Sequence, residues 1–360
     1  MSLTSRLQRQ IHQDGPMSVA RYMTICLLDP SHGYYPTRDP IGAGADFITA
    51  PEVSQMFGEL IGVWLAANWQ KMDQPKTINL VEAGPGKGSM MSDILRASAA
   101  VPEFSQALHI HLIEASAALV AVQAKTLGSF TQPISWTDHL SDTGSGPLML
   151  VANEYVDCLP VRQFIRKPDH WHERLIGLDE AGEFQFILDP SPLAAKDIEL
   201  IAPELRNAAQ DTLVEVRPSL AALFDPLAKR AETDPVMALF IDYGPAISET
   251  GDSFQAISKH KKVNPLRLSG EVDLTARVDF AELGRAARTA GFEVSAPITQ
   301  GQWLQKMGLL ERAAVLAAKS SQTRNKIARQ VHRLSDAREM GELFKFLAVW
   351  SPGLSKPAGF

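Results

Sequence analysis

Three glycines at alternate positions, Gly84, Gly86 and Gly88, follow the apolar run in INLVEAGPGKGSMMSDIL, and a carboxylate, Glu82, stands two residues before the first of them. Glycines at a strand-to-helix turn let the backbone approach a ligand closely, and in an open α/β sheet that ligand lies beyond the C-terminal ends of the strands. Phosphate loops do not fit this turn. A Walker loop needs Lys followed by Ser or Thr, whereas Lys87 is followed by Gly88. The dinucleotide fingerprint needs a glycine three residues after the second, and Ser89 stands there instead. A carboxylate beneath the turn disfavours a pyrophosphate and favours an ammonium or sulfonium group. After the next apolar run, LHIHLIEAS, Glu114 is placed to accept hydrogen bonds from two ribose hydroxyls. A cationic sulfur and a ribose together describe S-adenosylmethionine. The competing explanation is that both acids merely end their strands in solvent.

The elements that must position these residues can be read from periodicity. TINLVEA, LHIHLIEA, GPLMLVANE and PVMALFIDYG are strand candidates, and SMMSDILRASA and SAALVAVQAKTLG between them have helical spacing. Strands alternating with helices predict a parallel sheet wound by crossover helices. Upstream, Val53, Met56, Phe57, Leu60, Ile61, Trp64 and Leu65 share one helical face, and Leu3, Leu7 and Ile11 predict a first amphipathic helix on the core. Residues 160 to 217 break the rhythm: VRQFIRK, HWHERLIGLD and EFQFILD read as an antiparallel insertion. The tail from residue 300 reads as helical, with SPGLSKPAGF irregular.

Composition narrows the function. With 45% hydrophobic and 21% charged residues the chain is of ordinary globular make-up, and no apolar run is long enough to span a bilayer. A formal charge of -6 argues against a nucleic-acid partner, and KHKK at 259–262 reads as a solvated loop. Cys26 and Cys158 are too few for a disulfide framework or a cysteine zinc site, and a reducing, cytoplasmic setting fits. His109 with His111, and His170 with His172, have no third ligand at useful spacing, so no metal is expected.

The ordered segments HGYYPTRDPIGAGADFITAPEVSQMFGE, VEAGPGKGSMMSDIL, NEYVDCLPVRQF, IDYG and GEVDLTARVDF resemble the MidA family over roughly residues 15 to 308. Mitochondrial members of that family are arginine methyltransferases that assist assembly of respiratory complex I. One departure is Arg277, which stands where the family pattern has histidine. The resemblance implies a class I (Rossmann-like) α/β methyltransferase fold with a helical N-terminal cover and an antiparallel insertion. On this basis we expect a cover and lid over 1–75, a cofactor-binding core over 76–158 and 235–300, an inserted substrate or interaction segment over 159–234, and a helical tail over 301–360.

The expected activity is transfer of a methyl group from S-adenosylmethionine to an arginine of a protein, such as a complex I subunit. A guanidinium stays protonated at any working pH, so it must be held by carboxylates with one nitrogen facing the methyl group. The acids at the predicted C-terminal edge of the sheet are Glu154, Asp157 and Asp242, and these are the expected catalytic residues. The expected cofactor-binding residues are Glu82, Gly84, Gly86, Gly88, Glu114 and Asn153. His32 to Glu52 reads as a lid, with Gly42 and Gly44 as hinges and Tyr34, Tyr35 and Phe47 as shields. Two rivals remain open: a small-molecule methyltransferase, and a non-catalytic assembly factor that binds the same cofactor.

Overall fold

The computed structural model describes residues 2–37, 49–258, 261–318 and 321–360. The chain divides into two compact units, one formed by 1–47, 157–221 and 247–282, the other by 48–156, 222–246 and 283–360. No described helix is long and apolar enough to cross a membrane.

The second unit is built on a mixed sheet. Its main strands are β1 (Ile78–Ala83), β2 (Leu108–Ile113), β3 (Ile134–Thr137), β4 (Leu148–Asn153), β5 (Val236–Tyr243) and β6 (Phe344–Trp350), in the order β6-β5-β4-β1-β2-β3, and two short strands, Glu293–Val294 and Ile298–Thr299, pair with β6 at the edge. Strands β1 to β5 run parallel, and β6 is antiparallel to β5. The chain winds outward from β1 through β2 to β3, then returns to β4 on the other side of β1 and winds the opposite way. The sheet's switch point therefore lies between β1 and β4, the place where open sheets of this kind bind ligands beyond the strand ends. Every residue of β1 and of β4 is buried, as expected for central parallel strands covered on both faces.

One face of this sheet is covered by helices α1 (Gln55–Lys71), α2 (Ser89–Ser98) and α3 (Leu309–Ala317). The apolar stripe expected on α1 is buried at Met56, Phe57, Leu60, Ile61, Trp64 and Leu65. Gly58 and Gly62 let α1 and α2 pack closely: a Cβ on Gly58 would stand 2.6 Å from the Asp93 Cβ, and one on Gly62 3.0 Å from the Ala97 Cβ. Since α2 continues directly from the glycine turn, this close packing also fixes the turn. Among the fully buried side chains of this face are Trp64 and Phe57, worth about 1.5–3 kcal/mol each for a large apolar group.

The tail departs from the expected helix. Phe344–Trp350 forms β6, pairing Tyr243 with Phe344 and Met237 with Trp350. The run FKFLAVW is apolar but for Lys345 and too short to show a polar face, so periodicity cannot tell a buried strand from a buried helix.

The other unit carries the antiparallel insertion. Strands Arg162–Arg166, Trp171–Leu178, Phe184–Pro192 and Leu213–Val216 join Met17–Ser18 in one sheet, and 255–258, 261–263 and 273–275 form a small second sheet. The turn after Leu178 is held by Asp179, whose Oδ1 accepts the N–H groups of Ala181 and Glu183. The first helix, Leu3–Asp14, is capped by Ser2 and buries Leu3, Leu7 and Ile11 as its spacing predicts.

Candidate active site

The glycine turn leaves β1 in a conformation that ordinary residues avoid. Gly84 has φ 68° and Gly88 φ 78°, both in the left-handed region. A Cβ on Gly84 would also lie 3.2 Å from the Tyr155 ring. The Gly88 N–H donates to the Pro85 carbonyl at 2.8 Å, and its own carbonyl accepts the Ser92 N–H to begin α2. Gly86 lies between them, and its carbonyl accepts the Gln123 amide at 2.7 Å.

Register places the expected cofactor residues together. Ala83 pairs with Ile113 on one side and with Ala152 on the other. Strand alternation therefore sets Glu82, Glu114 and Asn153 on one face, at the C-terminal edge of β1, β2 and β4. Glu82 is 1% exposed, its Oε2 has no hydrogen-bond partner among the described residues, and burial alone pushes its carboxyl up to about 8. Asn153 is also buried; its amide nitrogen donates to Glu154 Oε1 at 3.3 Å, while its Oδ1 has no partner among the described residues. Two buried acceptors without donors, on the strands that flank the switch point, fit a cationic ligand.

Glu114 is differently held. Its Oε1 accepts the Ser116 N–H at 2.8 Å and its Oε2 accepts the Gln123 amide at 2.9 Å. Burial raises its carboxyl, while these hydrogen bonds pull it back down. Each oxygen keeps a second lone pair, enough for a pair of hydroxyls. Nothing in the sequence marks Gln123 as part of this site. It is fully buried, ties Glu114 to the Gly86 carbonyl, and is itself oriented by the Trp136 N–H at 2.8 Å. A glutamine in mid-helix gives no pattern; its role emerges only from the strands and the turn that converge on it.

Of the expected catalytic acids, Glu154 and Asp242 lie in this unit. Glu154 follows β4 directly in the left-handed region, at φ 51°, and its N–H donates to the Ile241 carbonyl at 2.9 Å. A non-glycine residue held there is strained by about 1–3 kcal/mol, a strain that tends to collect at functional sites. Asp242 is 1% exposed, and its carboxylate accepts the N–H groups of Val156 and Tyr243. It braces the turn that carries Glu154. Asp157 is buried in the other unit, where its carbonyl accepts the Ala276 N–H.

Lys87 extends to Glu52 at 3.5 Å, and Glu52 also accepts the Ser89 hydroxyl at 2.7 Å. Of the lid residues, Tyr34 and Tyr35 stack edge to face, and the Tyr35 hydroxyl donates to Asp273 at 3.0 Å. Gly42, Gly44 and Phe47 lie outside the described residues, as do Lys259 and His260. His111 spends both ring nitrogens on Asn79 and Ser135. Arg277 turns its side chain to Glu249 at the surface, 3.6 Å away.

The chain is similar to known proteins over most of its length. Residues 60–298 match a family model described as "Putative S-adenosyl-L-methionine-dependent methyltransferase". The chain is 35% identical to the zebrafish protein arginine methyltransferase NDUFAF7, covering 97% of this chain and 86% of that one. It is 33% identical to the human protein of the same name, covering 95% and 82%. A crystal structure of a COG1565 superfamily member from Burkholderia thailandensis, bound to S-adenosyl-homocysteine, is 27% identical with a TM-score of 0.84, covering 99% and 93%. The cytoplasmic location expected from the sequence is corrected by these relatives, which are mitochondrial proteins by name. A low cysteine count bears only on redox state, and a mitochondrial setting satisfies it equally. By glycine turn, sheet order and kinship, this chain belongs to the family of S-adenosyl-L-methionine-dependent methyltransferases, and that compound is its cofactor.

Proposed function

We propose that this enzyme methylates an arginine side chain of a protein, with Glu154 as the carboxylate that holds the guanidinium. The supporting observation is the position of Glu154: it is fixed in a left-handed conformation at the tip of β4, immediately after Asn153. When bound, the cofactor supplies a methyl group on a sulfonium, which departs as a neutral thioether. Bidentate pairing of the guanidinium with Glu154 sets the line of approach and leaves one nitrogen free. The nitrogen becomes acidic only after it has gained the methyl group, so a carboxylate or water can take its proton late and no strong base is needed. Asp242 acts by bracing the turn.

The names of the relatives support an arginine substrate, and the family resemblance points to a respiratory complex I subunit as client. Within the inserted segment 159–234, the antiparallel strands between Arg162 and Val216 are the part we assign to client binding. Mass spectrometry of candidate clients incubated with enzyme and cofactor tests the reading. The expected result is a methyl-mass gain on arginine that Glu154→Ala abolishes. Methylation of small molecules alone would favour the first rival; no turnover with an assembling client would favour the second.

A further inference from the structure

We propose that Gln123 is a positioning residue for ribose recognition: it locks the Glu114 carboxylate to the glycine turn, so that both are set as one piece and the enzyme selects a cofactor carrying both ribose hydroxyls. The inference rests on the reading of Glu114 as the ribose acceptor and adds to it the residue that aims it.

Gln123 stands in the helix Ala117–Leu127, which is capped by the Ser116 hydroxyl and buries Leu119, Gln123 and Leu127. Residues four apart lie on one helical face, so an amide occupies the centre of a stripe that is otherwise leucine. Glutamine is seldom fully buried, and an amide taken out of water is costly unless it is hydrogen-bonded. Here every polar atom of the side chain is bonded. Nε2 donates to the Gly86 carbonyl at 2.7 Å and to Glu114 Oε2 at 2.9 Å, and Oε1 accepts the Trp136 N–H at 2.8 Å.

The partners also fix which way the amide faces. An indole N–H can only donate, so it holds Oε1 on the Trp136 side and leaves both amide hydrogens for the carbonyl and the carboxylate. Reversing the amide would set its oxygen against two acceptors. The three partners come from three places: the turn after β1, the end of β2, and β3. The turn approaches the same helix directly, since a Cβ on Gly88 would stand 3.6 Å from the Gln123 Cα. From the other side, the Ser116 N–H holds Glu114 Oε1 at 2.8 Å. With each oxygen held by a different donor, the carboxylate cannot swing, and the lone pair left on each oxygen has a fixed direction. Two fixed acceptors suit two neighbouring hydroxyls. A methionine at 123 would fill the same space and leave Glu114 held at one oxygen.

Isothermal titration with S-adenosylhomocysteine and with its 2′-deoxy and 3′-deoxy forms tests the inference. The wild type should bind each deoxy form about tenfold or more weaker than the parent, as expected for loss of a hydrogen bond to a charged group. Gln123→Met should weaken the parent by about tenfold and bring at least one of the two penalties below about threefold. Trp136→Phe keeps Gln123 and removes only the donor that orients it. It should lower the penalties by a smaller factor, and it decides the question if Gln123→Met does not fold. A residue that only packs would lower the melting temperature and weaken all three ligands alike. Unchanged penalties in the folded variants therefore overturn the inference and leave Glu114 as the ribose acceptor. Absence of either penalty in the wild type overturns the reading of Glu114 itself, and the inference with it.

Discussion

Two glutamates are buried in the same unit with opposite surroundings. Glu59, on the helical layer, is 4% exposed; Glu82, at the sheet edge, is 1% exposed. Arg312 grips Glu59 with two hydrogen bonds of 2.8 Å, and Gln55 and Arg96 add further contacts. Glu82 has an oxygen with no partner among the described residues. The first arrangement is complete and ties α1 to α3. The second lacks such a partner, and in our reading of the site a ligand supplies its positive charge. Burial of a carboxylate alone says little about role; the presence or absence of its counter-charge separates a structural acid from a binding one.

Three predictions test that contrast. The largest effect is expected for Glu59→Ala, which leaves two arginines facing a buried gap. Loss of one partner from a fully buried pair costs about 3–5 kcal/mol, and because the arginines left behind, Arg312 and Arg96, are 35% and 47% exposed, solvent screening should hold the loss to about 1–2 kcal/mol. The urea midpoint would show it, and Glu82→Gln should show no comparable loss. Next comes Glu154→Gly. It removes the left-handed strain seen at φ 51° and should stabilise the fold by about 1 kcal/mol, while turnover falls by roughly 100-fold with cofactor affinity unchanged. A variant that loses stability and keeps turnover would assign Glu154 to structure.

The most gradual effect is on pH. The carboxyl of Glu82 is raised from 4.5 unfolded to about 8 folded. Its contribution to stability is whole below the unfolded value and is lost as pH rises toward the folded one. The cofactor-free protein should lose roughly 1.4 kcal/mol of stability per pH unit from this group across that window. Glu82→Gln should flatten that part of the profile in denaturant titrations.

Legibility follows the physics of pattern. The switch-point strands, the glycine turn and the strand-end positions of Glu82 and Glu114 are readable from sequence, because central strands are largely apolar runs and the turn needs glycine at fixed offsets. The strand Phe344–Trp350 is not, since nothing in FKFLAVW opposes a helix. Gln123 and the pairing of Lys87 with Glu52 are also hidden. Both join residues far apart in the chain, where local sequence carries no signal. Asp242 reads as a substrate acid by its place at a strand end, but its carboxylate is directed at backbone N–H groups, a distinction that residue type cannot make.

The central claim is that the turn from Gly84 to Gly88 and the acceptors beside it hold S-adenosylmethionine. Calorimetric titration of the wild-type protein and of Gly84→Val tests it most directly. A branched side chain at φ 68°, 3.2 Å from the Tyr155 ring, should leave a folded protein by circular dichroism that no longer binds the cofactor. The wild type should bind S-adenosylmethionine saturably and NAD not at all. Undiminished binding by folded Gly84→Val, or equal binding of NAD by the wild type, would contradict the account.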